Sequence, residues 1–243
     1  MLKIDLHTHT LVSGHATNTI FEMIQVAREK GLELLGLAEH GPKVEGGPIA
    51  SYFHHSIRLP RRLFNMNFIM GVEADIMDLN GLLDLNDRHL RLQDIVLAGI
   101  HREAGWTIKS PEENSKAIIE VMKNPLVHFI SHPCDSNARI EVEKVVKASY
   151  EYQVPLEVNC LHLGYHVARG VDIEDIRHMI KLVRDYRWKL IISSDAHVAT
   201  AIGDDSIIDK MKLRDLLSED IILNSSLTDV WNFLEEKRKK AKT

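Results

Sequence analysis

Six short apolar runs in this 243-residue chain lead straight into a histidine or a carboxylate, and no other feature constrains the fold as tightly. Ile4-Asp5-Leu6 leads into His7-Thr8-His9, Leu34–Ala38 into Glu39-His40, and Phe68–Val72 into Glu73. Ile95–Ile100 is followed by His101, Val127–Ser131 by His132, and Leu190–Ser194 by Asp195-Ala196-His197. Short apolar runs with polar borders read as parallel strands buried on both faces. If such strands close into a barrel, their C-terminal ends open on one face, and donors distant in sequence converge there. A lone His-x-His carries little, since 14 histidines in 243 residues give about 0.8 such pairs by chance. The repeated placement is what points to a metal-dependent hydrolase.

Helix signals fill the spaces between the runs. Thr19-Ile20-Phe21-Glu22 has the form of a capping box and opens an amphipathic segment, with Ile20, Ile24 and Ala27 on one side, that ends near Lys30-Gly31. Ser110-Pro111-Glu112-Glu113 adds a proline at the first helical position, and that segment stops at Asn124-Pro125. Ile173, Ile176, Ile180 and Val183 form a third stripe after Asp172, and further helices are expected at 138–150, 209–217 and 227–240. With a strand at 2–6 and another at Leu156–Asn159, seven strands alternate with helices, which predicts an α/β barrel-like fold with right-handed crossovers. Residues 41–62 form a long excursion on the expected active face, and 80–94 are expected to make a hairpin before the fourth strand.

No repeat, linker or compositional shift divides the chain, so residues 1–243 are expected to form one domain. A net charge of -5 offers no basic field to nucleic acid or to an anionic membrane. Cys134 and Cys160 make neither a disulfide framework nor a Cys-x-x-Cys motif. The first residues lack the basic-then-apolar pattern of a signal peptide, and no apolar run approaches the roughly 20 residues a membrane span needs. A cytoplasmic protein with a small-molecule substrate is expected, without membrane or nucleic-acid partners.

Imidazole and carboxylate donors without thiolate suit zinc, manganese or iron. Nine stand out: His7, His9, His15, His40, Glu73, His101, His132, Asp195 and His197. One catalytic zinc normally takes three protein ligands and a water, so nine donors suit a cluster of two or three ions better. Glu73 can bridge two ions through its two oxygens, which an imidazole cannot do. Paired ions about 3.5–4 Å apart can hold a hydroxide and neutralise charge in an in-line displacement at phosphorus.

Six motifs in order carry a family resemblance: Asp5-Leu6-His7-Thr8-His9-Thr10 followed by His15, Ala38-Glu39-His40-Gly41-Pro42, Gly71-Val72-Glu73-Ala74, Ala98-Gly99-Ile100-His101, Ser131-His132-Pro133 and Ser194-Asp195-Ala196-His197. Together they resemble the PHP (polymerase and histidinol phosphatase) family, and within it the YcdX-like phosphatases, over nearly the whole chain and including Pro60-Arg61. The resemblance implies a distorted (β/α)7, TIM-like barrel with three metal ions at the C-terminal ends of the strands, zinc in this branch and manganese or iron in others. By position it implies His7, His9, Glu73 and Asp195 on the first ion, Glu73, His101 and His132 on the second, and His15, His40 and His197 on the third.

The implied activity is phosphatase chemistry on small phosphate monoesters. A hydroxide bridging two ions would attack, with Glu73 and Asp195 as the catalytic carboxylates and Asp195 or a metal-bound water as proton donor to the leaving alkoxide. Asp5 and Glu39 are candidates to orient imidazole N–H groups. Arg61, Arg102 and Arg169, the last in a loop after the sixth strand, are candidates to bind phosphate. His54, His55, His89, His128, His162, His166 and His178 are expected in surface or packing roles, both cysteines as inert thiols, and Lys237-Arg238-Lys239-Lys240 as a solvated helix end. Asn159-Cys160-Leu161-His162 departs from the more polar asparagine and serine run of similar proteins at that rim. Histidinol-phosphate phosphatase, a PHP-type nuclease and a non-catalytic metal-binding module are the alternatives. An amidohydrolase also begins with His-x-His, but its bridging lysine has no counterpart here. Relatives are often oligomeric, so a homo-oligomer is compatible with the chain.

Overall fold

The computed structural model describes residues 1–170 and 173–242. Its strands are β1 (Ile4–Thr8), β2 (Leu34–His40), β3 (Arg62–Leu63), β4 (Met66–Asp75), β5 (Ile95–Gly99), β6 (Phe129–Ile130), β7 (Leu156–Asn159) and β8 (Leu190–Ser193). The helices are α1 (Ile20–Glu29), α2 (Ala50–His55), α3 (Asp87–Leu90), α4 (Pro111–Met122), α5 (Val142–Tyr152), α6 (Cys160–Arg169), α7 (Glu174–Asp185), α8 (Ser206–Lys210) and α9 (Leu227–Lys240). The sheet runs β1-β2-β4-β5-β6-β7-β8 in parallel, with β3 added antiparallel to β4. Helices between the strands complete a distorted (β/α)7, TIM-like barrel.

Closure happens at the seam between β8 and β1, and it uses little strand pairing. At the upper end, Asp195 N–H donates to His7 O and His9 N–H to Ala196 O, each at 2.9 Å. Lower down, the side-chain amide of Asn224 stands in for a strand. Its Nδ2 donates to Ile4 O at 2.9 Å and Ile192 O at 2.7 Å, and its Oδ1 accepts from Ile192 N–H at 3.0 Å. Backbone groups buried at an unpaired seam need such partners, because each one left bare costs free energy.

The interior changes character along the strands. Ile4, Leu34, Ile69, Ile95, Leu97, Phe129 and Ile191 fill the lower end, where Val230 and Leu234 of α9 plug it. Two larger apolar layers lie outside the sheet, beneath α4, α5 and α7 on one side and beneath α1 on the other. Alternation along β4 shows how one strand serves both purposes: Val72 and Ala74 pack outward, while Ile69, Glu73 and Asp75 share the inner face and pass from apolar to ionic. No helix among the described residues is long and apolar enough to cross a membrane.

Local signals hold where side chains make the caps. Thr19 and Ser110 both form complete capping boxes, with Glu22 and Glu113. Several boundaries differ from the sequence expectation. The turn expected within 80–94 is earlier and tighter, with Ile76 bridged to Leu83, and α3 takes up residues 87–90. The helix expected at 209–217 is broken, because Lys212 turns to φ 53 between α8 and a short turn at Arg214–Leu216. The helix expected from 138 starts at Val142. The excursion at 41–62 carries α2, and β3 is a hairpin arm reversed by Phe64 and Asn65 at φ 51 and 61. Residues 160–169 are helical, so Arg169 ends a helix rather than lying in a loop. Asp172, expected just ahead of α7, lies outside the described residues.

Candidate metal centre

All nine predicted donors lie at the upper end of the barrel, and their ligand atoms crowd together. His7 Nε2 and His9 Nε2 are 3.0 Å apart. His9 Nε2 is 3.0 Å from Asp195 Oδ1 and 3.5 Å from Glu73 Oε2, and His7 Nε2 is 3.2 Å from the same Glu73 oxygen and 3.6 Å from Asp195 Oδ1. The other oxygen of Glu73 faces a second group, with His132 Nε2 at 2.8 Å, His101 Nε2 at 3.2 Å and those two nitrogens 3.0 Å apart. His15 Nε2 and His197 Nε2 are 3.0 Å apart, and the His40 ring lies 4.9 Å from that of His15.

These spacings have a chemical meaning. Bonds of about 2.0–2.1 Å in a tetrahedron place neighbouring ligand atoms about 3.3 Å from one another. Imidazole nitrogens that face each other at this distance can share at most one proton, so a cation is the natural common partner. Glu73 Oε2, Asp195 Oδ1 and His40 Nδ1 are buried and have no hydrogen-bond partner among the described residues. His40 Nδ1 lies 3.0 Å from Glu73 Oε2 without hydrogen-bond geometry. Such orphaned lone pairs are costly unless something positive binds them. The residues could hold more than one ion: His7, His9 and Asp195 form one compact group, His9, His40 and His197 another, and His40, Glu73 and His101 a third.

The backbone is shaped for the same end. His132 and Asp195 sit at φ 30 and 54, a left-handed region that costs a residue with a side chain about 1–3 kcal/mol. Each follows a strand end and turns its side chain back over the barrel mouth. Gly99 leaves room for other members of the centre, since a Cβ there would lie 2.4 Å from Ser131 Oγ, 3.0 Å from His101 Cε1 and 3.2 Å from Glu73 Oε1.

Outer acceptors fix the imidazoles. His7 Nδ1 lies 2.8 Å from Glu157 Oε1, and His101 Nδ1 lies 2.7 Å from Asp75 Oδ1. Glu157 also accepts from His132 N–H at 2.8 Å through its other oxygen. An acceptor at one ring nitrogen leaves the other free for a metal and raises its basicity. Neither acceptor was expected. The expected ones behave differently: Asp5 accepts from Ser194 Oγ–H and from the N–H groups of Ser194 and Gly203, so it ties the seam rather than an imidazole. Glu39 accepts from Thr10 and from Ser13 Oγ–H, and Ser13 Oγ then sits 3.1 Å from His9 Nδ1, so its influence passes through a hydroxyl.

Burial alone would raise the Glu73 and Asp195 carboxyls, but imidazoles outweigh it: His101 and His7 for Glu73, and His7 and His9 for Asp195, bring both well below the usual range. Burial and the neighbouring His40 hold His9 well below the ordinary histidine value, and burial with His162 lowers His132. For His7, burial is outweighed by Glu157, Glu73 and Asp195, which raise it well above that value. Ionised carboxylates are the form metal ligation requires, and His7 must lose its proton on binding.

The centre opens into a cavity of about 630 Å³ bordered by His15, His40, His101, His132, Asp195 and His197 on its inner side. Arg102 and Arg169 border it as well. Arg61 does not belong to it: its guanidinium pairs with Asp94 and donates to Ser56 O at 3.2 Å and Leu59 O at 2.8 Å, which anchors the segment before β3. His162, expected in a surface or packing role, lies at the cavity wall instead, with Nδ1 3.3 Å from Asp135 Oδ2 and its ring stacked on His132. His166 also borders the cavity, whereas His128 is buried in packing as expected. Cys134 and Cys160 are buried, and burial pushes both thiols up, away from reactivity.

The profile of the PHP domain matches residues 5–220. A protein of Caldanaerobacter subterraneus named a probable phosphatase is 35% identical over 242 residues, covering 98% of this chain and 93% of its own. The crystal structure of histidinol phosphate phosphatase from Lactococcus lactis, complexed with zinc, L-histidinol and phosphate, superposes with a TM-score of 0.60 at 17% identity, covering 89% of this chain and 93% of that one. A chain in a structure of archaeal ribonuclease P with mature tRNA superposes with a TM-score of 0.59 at 14% identity, covering 99% of this chain and 93% of its own. At such identities these two likenesses speak for the fold alone.

Proposed function

The chain belongs to the PHP domain family, and from that membership and the donor cluster together we propose that it is a metal-dependent phosphatase hydrolysing small phosphate monoesters at a three-ion centre. The observation that carries this reading is Glu73. Its two oxygens face different donor groups, His7 and His9 on one side and His101 and His132 on the other, as a bridging carboxylate must. The curated relatives named probable phosphatases support the reaction class.

His7, His9, Glu73 and Asp195 would hold one ion, Glu73, His101 and His132 a second, and His15, His40 and His197 a third, with zinc the metal best matched to these donors. Bound there, the ions would supply a nucleophilic water at neutral pH and offset charge developing on the phosphoryl oxygens. The chain's own residues do the rest. Asp75 and Glu157 hold His101 and His7 in one orientation, so the centre needs little rearrangement during reaction. Arg102 borders the cavity and would take phosphate oxygens from that side, whereas Arg169 lies over the Tyr165 ring. Asp195 or a water at the centre would supply the proton that the leaving alkoxide takes up.

The test couples elemental analysis of gently purified protein to phosphate release from a monoester panel that includes histidinol phosphate, sugar phosphates and nucleotides. About three ions per chain, with release that falls at least about 10³-fold in Glu73→Ala, are expected. Full metal content without release from any monoester would turn the reading toward a diester, nuclease or structural role. A chain that takes up no metal on reconstitution would end the proposal.

A further inference from the structure

The donors line one wall of the cavity, Glu45, Glu103 and the turn at 135–138 border it elsewhere, and α6 forms a further wall. Asn159 caps this helix, its side chain accepting from His162 N–H at 3.0 Å, and Leu161, His162, Tyr165 and Arg169 border the cavity along one helix face. Their rings form a continuous series that starts at the metal centre. His132 stacks on His162 with centroids 4.1 Å apart and planes 12° apart. His162 meets Tyr165 edge-on at 5.7 Å and 71°, and the Arg169 guanidinium carbon lies 5.5 Å over the Tyr165 ring. Asp135 holds the inner ring of the series through His162 Nδ1. Tyr165 is 45% exposed, so its ring is not consumed by the core.

We propose that this wall is the leaving-group subsite of the phosphatase and that it selects monoesters whose alcohol carries a planar, delocalised ring. The inference rests on the phosphatase reading above and adds the substrate class. A cavity of about 630 Å³ is far larger than a phosphate group needs and falls among sites that take ligands of nucleoside or drug size. With the phosphate at the donors, the alcohol lies in the rest of the cavity, of which α6 forms one wall. That wall presents an aromatic ring and a flat guanidinium, surfaces that reward a planar partner through stacking and cation–π attraction and reward a puckered one much less. The anchored inner ring makes the subsite rigid where it meets the chemistry, so less ordering is lost when a ring binds.

Two non-hydrolysable phosphonates of equal carbon count test this on the zinc-loaded protein. Benzylphosphonate carries a planar ring and cyclohexylmethylphosphonate a puckered one, and calorimetry gives both dissociation constants, with inorganic phosphate as the reference. Benzylphosphonate is expected to bind about two- to tenfold more tightly, the range for one aromatic contact. Tyr165→Leu should bring the two phosphonates level, Tyr165→Phe should keep the preference, and inorganic phosphate should bind all three proteins alike. Equal binding of the two phosphonates by the native protein, or a planar preference that survives Tyr165→Leu, overturns the subsite while phosphate binding leaves the phosphatase reading standing. If phosphate and both phosphonates fail to bind the zinc-loaded protein, the phosphatase reading falls and the subsite with it.

Discussion

At the lower end of the barrel Ile4, Leu34, Ile69, Ile95 and Phe129 close on Val230 and Leu234 with essentially no exposed surface, whereas at the upper end Glu73, Asp195 and His40 are as deeply buried yet keep polar atoms without a hydrogen-bond partner. The two ends belong to the same strands, some 10–15 Å apart at about 3.3 Å per residue. One gains stability from apolar burial and the other gives some of it up. Each orphaned buried polar atom costs about 1–3 kcal/mol, before the left-handed backbone at His132 and Asp195 is counted. A fold can carry such a mouth because its floor is finished independently. The comparison therefore predicts that substitutions at the top change metal affinity and activity, and that substitutions at the bottom change stability with the chemistry preserved.

At the mouth the comparison is tested by an acceptor that touches an imidazole and no candidate ion. Glu157→Gln keeps the shape of the side chain but removes the charge that faces His7 Nδ1 and His132 N–H. Zinc affinity, read by competition with a coloured chelator, should fall about 10- to 100-fold, the usual consequence of losing an outer carboxylate partner. A variant that held zinc as tightly as the parent would mean that Glu157 serves packing rather than the centre. The complementary change lies at the floor. Leu234→Ala removes a fully buried side chain from the plug and should cost about 2–5 kcal/mol in denaturant unfolding, with zinc content and KM of the folded protein unchanged. Loss of zinc in that variant would show that the two ends are coupled and break the comparison.

The same contrast explains what could be read from the chain alone. The barrel and its donors were legible because burial on both faces writes strands as apolar runs, and a donor at each strand end interrupts the run. Asp75 was equally accessible to that logic, since it lies two residues beyond Glu73 and a strand repeats every two residues, yet only Glu73, where the apolar run ends, stands out in the pattern. Glu157 offered a different signal: a carboxylate within Leu156-Glu157-Val158-Asn159, in a strand buried on both faces, must have a partner there. His162 could not be placed without recognising Asn159 as a helix cap, because 159–162 otherwise read as a rim loop after the strand. The seam residue Asn224 has no local signal at all, for it replaces a strand contact between β1 and β8 that sequence spacing does not reveal. Lys237 was hidden by its neighbours, since four consecutive basic residues read as a solvated tail.

Lys237 gives the smallest and most specific way to sharpen the comparison. It is 5% exposed, its Nζ donates to Val127 O at 2.9 Å, and the Phe233 ring lies 5.8 Å away. Burial, and then the charge of Lys240, bring its pKa down from 10.5 to about 7. Burial together with Lys237 and Arg238 lowers the adjacent His128 to about 3, so this ring stays neutral through the range that matters. Below pH 7 the folded and unfolded chains both carry the lysine proton, while between about 7 and 10.5 the folded chain releases a proton that the unfolded one keeps. Stability should therefore rise with pH across that window, with a slope from this group of at most about 1.4 kcal/mol per pH unit. Lys237→Met removes the titrating group; in the parent-minus-variant difference in unfolding free energy any metal linkage that both proteins share cancels, and the loss of the Val127 contact adds only an offset. That difference should climb in the parent's favour from pH 7 to pH 10. A flat difference would mean that the lysine finds water at the barrel floor, and that the lower end is not the dry, purely apolar counterpart of the mouth.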